Sequence, residues 1–220
     1  MKKAIEQGIL KYLAGVALAF AAGTVDPAPE LRKVPESLLG DIVEEVEEAE
    51  WQPEARNRML DLLTHDPRPM VRVRVSEAVV SVWNEVPDQA VVMLRRLVDD
   101  ESGLVRAAAA AGLADVLARA SVIERVALVA EWTISEKPTE RLALARALCA
   151  STPVLIGDLA IDQLTRDPEP TIRRWALMAA NSHLEDNPAL YATLAHELLE
   201  DPDAEVRATA RRILESVSPA

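Results

Sequence analysis

One recurring pattern constrains this chain more than any other: a turn built on Asp, usually Asp-Pro, followed five residues later by Val-Arg or Ile-Arg. Four copies align: Asp66-Pro67-Arg68-Pro69-Met70-Val71-Arg72, Asp100-Glu101-Ser102-Gly103-Leu104-Val105-Arg106, Asp167-Pro168-Glu169-Pro170-Thr171-Ile172-Arg173 and Asp201-Pro202-Asp203-Ala204-Glu205-Val206-Arg207. A degenerate copy, Ser135-Glu136-Lys137-Pro138-Thr139-Glu140-Arg141, fills the gap between the second and third, so the arginines step by 34, 35, 32 and 34 residues. A further match, Asp26-Pro27-Ala28-Pro29-Glu30-Leu31-Arg32, lies 40 residues before Arg72. Self-similarity at such a period marks a stacked array, in which one unit cannot bury its apolar face without its neighbours.

Composition decides what the units are made of. Half the chain is apolar, only 3% is aromatic, and seven glycines serve 220 residues. Ala and Leu dominate the apolar set and lose little side-chain entropy in a helix, so the class expected is all-α. Helices are predicted over 3–22, 35–49, 54–64, 70–85, 88–98, 103–119, 122–134, 139–150, 154–165, 170–184, 188–199 and 203–217, making six helix pairs. The organisation expected is one repeat domain over 1–220, with an irregular N-terminal capping repeat at 1–50 and five regular repeats over 51–217. Pro cannot continue a helix, and Asp can cap the free N–H groups of the next one. The Val or Ile before each Arg points into the core. The Arg stands at the edge of the buried stripe, within reach of a turn carboxylate of its own or a neighbouring repeat. Asp66, Arg72, Asp100, Arg106, Arg141, Asp167, Arg173, Asp201 and Arg207 are thus expected to hold repeat register through charge-assisted pairs.

These Asp-Pro-x-x-x-Val-Arg positions resemble the HEAT repeat family, in particular the short bacterial HEAT-like repeats also found in phycobilisome lyase proteins. The resemblance runs from about residue 26 to 217. It implies a right-handed α-α superhelix whose second helices line the concave surface. It says nothing of chemistry.

The N-terminus admits two readings. Met1-Lys2-Lys3 and the apolar run from Tyr12 to Ala22 could form a signal peptide, which would make the protein exported. Against this, Glu6 lies in the charged region, and Ile5, Ile9, Leu13, Val16 and Phe20 share one helical stripe, as a packed capping helix requires. The apolar run is too short to span a membrane. A cytoplasmic location follows from the packed reading, and the single cysteine, Cys149, fits a reducing compartment.

Counting the signature Arg as zero, helical geometry places the core stripe of each second helix at −1, +3, +6, +7 and +10. In the second repeat these are Val71, Val75, Ala78, Val79 and Val82; in the fifth they are Ile172, Ala176, Ala179, Ala180 and His183. Positions +1, +4 and +5 are expected to face away. They include Val73, Ser76 and Glu77, then Ala107, Ala110 and Ala111, then Leu142, Ala145 and Arg146, then Arg174, Leu177 and Met178. Either these line an apolar, Arg-dotted groove, or tight curvature buries them and demands small residues there. The candidate binding residues are Val73, Arg74, Leu142, Arg146, Arg174, Trp175, Leu177 and Met178.

Net charge is −12, yet the five second helices from Val71 to Val217, leaving out Glu85 and Asp203 at their ends, hold eleven arginines against five acids, Glu77, Asp115, Glu140, Glu205 and Glu215. The acids collect elsewhere, notably from Asp41 to Glu54, where a solvated helix face is the expectation. So acidic a chain is repelled by nucleic acid and anionic membranes, and neither is an expected partner. No catalytic constellation stands out. His65, His183 and His196 lack metal-ligand spacing, no second thiol accompanies Cys149, and no nucleophile-elbow sequence frames a Ser, so neither metal nor cofactor is expected. A non-catalytic scaffold binding a protein or peptide is therefore the primary expectation. Resemblance supplies two alternatives. Some HEAT-like proteins of this size excise alkylated bases from DNA; Trp175 beside Arg173-Arg174, in register with Arg74, together with Trp83, Trp132 and Asp115, would be the relevant residues. A bilin-lyase-like, chromophore-binding role rests on the shared repeat alone.

Overall fold

The computed structural model describes residues 53–150 and 155–217. Among these residues the chain forms ten helices and no strands: α1 Pro53–Leu63, α2 Pro69–Trp83, α3 Pro87–Leu97, α4 Gly103–Arg119, α5 Val122–Thr133, α6 Pro138–Leu148, α7 Leu155–Leu164, α8 Pro170–Ser182, α9 Pro188–Glu197 and α10 Ala204–Val217. Helices 3–22 and 35–49, the capping repeat at 1–50, the candidate signal segment and the acidic side chains from Asp41 to Glu54 lie outside the described residues.

The helices begin where the prolines dictate. In α2, α3, α6, α8 and α9 a Pro occupies the first turn, where its missing N–H would have no intrahelical acceptor anyway. Helix α5 starts differently, on a capping box: Ser121 Oγ accepts from the Glu124 N–H at 3.3 Å, and Glu124 Oε2 accepts from the Ser121 N–H at 2.8 Å.

Cα packing divides the chain into two compact units, Met1–Gly112 and Leu113–Ala220, with α4 running across the boundary. In the first, α2 packs on α1 and on α3. In the second, α5 packs on α6, α7 on α8 and α9 on α10. There first helix also stacks on first helix (α5 on α7), and second on second (α6 on α8, α8 on α10). A second helix is thus buried from two directions, by its own partner and by the second helices beside it.

That double burial corrects one expectation. The core stripe is indeed inside: Val71, Val75, Ala78, Val79, Val82, Ile172, Ala176, Ala179 and Ala180 are all buried. But the +4 residues, expected to face outward, are buried too: Ser76, Ala110, Ala145 and Leu177. Leu177 lies in a cluster with Ala195, Val206, Ala210 and Ile213, so its neighbours come from α9 and α10 rather than from solvent. For Leu177, position +4 sits on the flank that meets the following second helix. In the first unit the same approach needs a glycine: a Cβ on Gly112 would stand 2.5 Å from the Ser76 carbonyl oxygen. Positions +1 and +5 keep solvent access throughout.

Candidate functional site

The signature arginines form a ladder of charge-assisted bonds. Arg72 donates through Nε (2.6 Å) and NH2 (2.8 Å) to the two carboxylate oxygens of Asp100, in the next turn along the chain. Arg141 grips Asp167 in the same way (2.6 and 3.2 Å), and Arg173 grips Asp201 (2.8 and 2.8 Å). Each NH1 turns back to the first carbonyl of its own turn: Asp66 for Arg72, Ser135 for Arg141, Asp167 for Arg173. Arg106 and Arg207 make this backward bond, to the Asp100 and Asp201 carbonyls, at 2.7 and 2.6 Å. A planar fork suits the double task, because its donors diverge within one plane.

The aspartates do not cap helices as expected. Each accepts instead from the N–H two residues on: Asp66 from Arg68, Asp100 from Ser102, Asp167 from Glu169 and Asp201 from Asp203. Asp100, Asp167 and Asp201 therefore shape the loop and present their carboxylates to the preceding repeat's Arg. The N-cap residues Arg68, Lys137 and Glu169 make no side-chain cap. Burial alone would raise the carboxyls of Asp100 and Asp201, but the arginine bonds and the turn N–H outweigh it and hold both below the ordinary range. Arg72, Arg141 and Arg173 are correspondingly raised, chiefly by the same hydrogen bonds. Asp66 is gripped from within its own turn by Arg68 (2.8 and 2.7 Å).

Other polar groups are structural staples, of which the sequence placed His183 on the core stripe and did not signal Tyr191, Asn187 or Asp158. Tyr191, fully buried, donates to Asp158 at 2.5 Å, and Asn187 donates to the other oxygen of that carboxylate. His183 bonds the Leu148 carbonyl at 2.7 Å, tying the end of α8 to the end of α6; the acceptor being a carbonyl, Nε2 carries the proton. Cys149 contacts the Ala145 and Trp175 carbonyls, and burial pushes its thiol up to about 11. His65 and His196 are exposed, and among the described residues no group of His, Cys, Asp and Glu is arranged to hold a metal ion. No helix of the described residues is long and apolar enough to cross a membrane.

The candidate binding residues fall into three groups. Leu177 has no surface to offer. In the first unit Val73 is half-buried and Arg74 is exposed, paired with Glu77 at 2.8 Å. In the second unit Leu142, Arg146, Arg174 and Trp175 are half-buried and Met178 is exposed. Contacts across helices join these last into one surface: the Arg146 guanidinium stands 4.9 Å from the centre of the Trp175 ring, linking α6 to α8, and Arg174 meets Glu205 at 3.0 Å, linking α8 to α10. Trp83 and Trp132 are buried. Asp115 is exposed on α4.

A second surface feature escaped the sequence reading. Val122, Ile123, Val126 and Ile134, at α5, and Leu159, on α7, are exposed. A groove of about 600 Å³ between α5 and α7 is lined by Ile134, Ile156 and Leu159 among others. Its signal was the run of apolar residues on both sides of α5, which one buried stripe cannot absorb.

No family model matches the sequence, and no curated protein does. Among solved structures, the chain is similar to Cex1p at 14% identity and a TM-score of 0.58, over 97% of this chain and 43% of that one. It thus spans less than half of Cex1p. It is also similar to a chain of the Pds5–Scc1 complex (14% identity, TM-score 0.50, 83% of this chain and 30% of that one). A computationally designed armadillo repeat protein for modular peptide recognition is similar at 17% identity and a TM-score of 0.44, over 95% and 98% of the two chains. At these identities the likeness concerns the fold alone: an all-α helical-repeat solenoid.

Proposed function

We propose that this chain is a non-catalytic interaction scaffold that holds a protein or peptide segment along the exposed strip of its second helices. The observation that carries this is the surface across α6 and α8, where Leu142, Arg146, Trp175 and Met178 combine apolar area with a stacked guanidinium. Indole, thioether and arginine are the groups enriched where proteins bind one another. A similar fold occurs in the Pds5–Scc1 complex, in keeping with a protein partner. We take residues 1–220 as one repeat domain, akin to the short bacterial HEAT-like repeats of phycobilisome-lyase type and working in the cytoplasm.

Nucleic acid fits this surface less well. Arg146 lies over the Trp175 ring that a base would need for stacking, and net charge is −12. The test is a pull-down comparing wild type with Leu142→Glu plus Met178→Glu, with circular dichroism to verify folding. Loss of the captured partner from a folded double variant is the expected result; unchanged capture sinks the proposed face.

A further inference from the structure

We infer that a second copy of this chain covers the face made by α5 and α7, the two copies pairing about a two-fold axis with their α5 helices antiparallel. Helix α5 carries more apolar surface than its own core contacts use. Leu128, Val129, Trp132 and Thr133 are buried on one side of it. On the other, Ile123 stands 83% exposed and Ile134, the C-cap residue, 70% exposed. Between those two lie Ala127 and Ala130, both exposed. At roughly 100° per residue the four share one narrow stripe. That stripe is symmetric about its own midpoint: its residues step by 4, 3 and 4, and run large, small, small, large. An antiparallel copy centred between Ala127 and Ala130 sets each Ile123 over the other chain's Ile134, and each Ala127 over the other's Ala130. Small residues at the crossing let the two backbones approach, and the isoleucines fill the space where the helices diverge.

Each end of the stripe also has the shape that the other end needs. Ile123 projects, with Val122 and Val126 exposed beside it. Ile134 borders the groove of about 600 Å³ whose walls include Ala130, Thr133, Ile156 and Leu159. Knob and groove thus sit at opposite ends of one helix, about 16 Å apart at 1.5 Å per residue. A two-fold axis through the midpoint seats both knobs in both grooves at once, which is the reciprocal contact of a closed dimer. A partner that fills the groove alone leaves Ile123 bare.

The area agrees with a small, reversible pairing. Val122, Ile123, Val126, Ile134 and Leu159 are 40–83% exposed. With about 60–120 Å² for a fully exposed aliphatic side chain, they supply about 200–400 Å² of apolar surface. A standard interface takes about 800 Å² from each partner, little more than half of it apolar, so this patch provides most of the apolar centre. The rim sets the salt dependence. Glu124 and Glu131 are exposed on one flank of the stripe, and the two-fold axis brings both copies' glutamates to a shared edge. Screening these like charges tightens the pair, whereas salt weakens an acidic face that holds a basic partner. The second-helix strip stays uncovered, so a dimer displays two of them.

The experiment is sedimentation velocity of the full chain across about 1–200 μM, at low and at high NaCl. The weight-average mass is expected to climb from one chain towards two, and to do so at lower concentration in the higher salt. Ile123→Lys and Ile134→Glu, made separately, are each expected to weaken pairing by about tenfold or more, with circular dichroism verifying the fold. An equimolar mixture of the two variants is expected to pair again. The new lysine of one chain then meets the new glutamate of the other, and the second contact remains Ile123 on Ile134. Met178→Glu, on the second-helix strip, leaves pairing unchanged. A wild-type chain that stays single throughout overturns the second copy, whatever else covers the face. Pairing that survives both single variants, or that falls with Met178→Glu, overturns the face. Variants that fail alone and fail together overturn the two-fold arrangement.

Discussion

Replacing Arg173 by Ala should destabilise the fold far more than replacing Arg207, although both arginines hold a turn in the same way. Each donates through NH1 to the first two carbonyls of its own turn, Asp167 and Pro168 for Arg173, Asp201 and Pro202 for Arg207. Losing those bonds costs about 1–2 kcal/mol in either case. Arg173 additionally makes two bonds of 2.8 Å to Asp201, whose side chain is only 4% exposed. Its removal leaves that carboxylate bonded to the Asp203 N–H. Breaking a buried pair costs about 3–5 kcal/mol. With Arg173 at 13% exposure and one donor retained, the lower part of that range applies. The clean quantity is the coupling energy from a double-mutant cycle of Arg173→Ala and Asp201→Ala, expected at about 2 kcal/mol. The exposed pair Arg174–Glu205 in a parallel cycle should give below about 0.5 kcal/mol. Urea unfolding followed by far-ultraviolet circular dichroism and Trp fluorescence measures both. Equal coupling in the two cycles would refute the claim that the ladder fixes register.

Three further outcomes follow from the same contacts. Asp100 and Asp201 are held below the unfolded value, so the native state binds fewer protons; their stabilisation is complete above about pH 4 and is lost as pH falls through the native values. The urea midpoint should therefore drop on going from pH 5.5 to 3, and drop less in Asp100→Asn plus Asp201→Asn. Cys149, pushed up to about 11, should react with a disulfide reagent at pH 8 orders of magnitude more slowly in the native than in the urea-unfolded chain; equal rates would contradict its burial. Gly112→Ala gains about 1 kcal/mol of helix propensity. It also drives a Cβ against the Ser76 carbonyl, so a net loss of about 1–3 kcal/mol in a thermal or urea melt is expected.

Much of the scaffold was legible in the sequence, for reasons that particular residues show. Among the described residues the predicted helices fall within two residues of the observed ones, because Pro69, Pro138 and Pro170 fix the starts and the Val-Arg pair fixes the phase. What the sequence left open was the partner of each arginine. Asp66 and Asp100 are both within reach of Arg72, and only the packing sends its carboxylate bonds to Asp100 and its carbonyl bond to Asp66. The misplacement of Leu177 has a similar origin. A single helical wheel describes burial against one partner, whereas α8 is buried by α9 and α10 as well as by α6 and α7. Ser76 at the equivalent position is small because second helices meet there, with its carbonyl oxygen 2.5 Å from where a Cβ on Gly112 would stand. The exposed stripe on α5 was missed because Ile123 and Ile134 look like core residues until the packing leaves them at 83% and 70% exposure.

Exposed apolar groups on α5 and the mixed strip on α6 and α8 are the two surfaces between which the proposed function chooses. A photo-crosslinking amino acid placed at Met178, 38% exposed on the strip, or at Ile123, 83% exposed on α5, separates them directly. With the full chain and its captured partner, crosslinks to that partner should form from Met178 and not from Ile123. Partner crosslinks confined to Ile123 would contradict the account, moving recognition to the first helices.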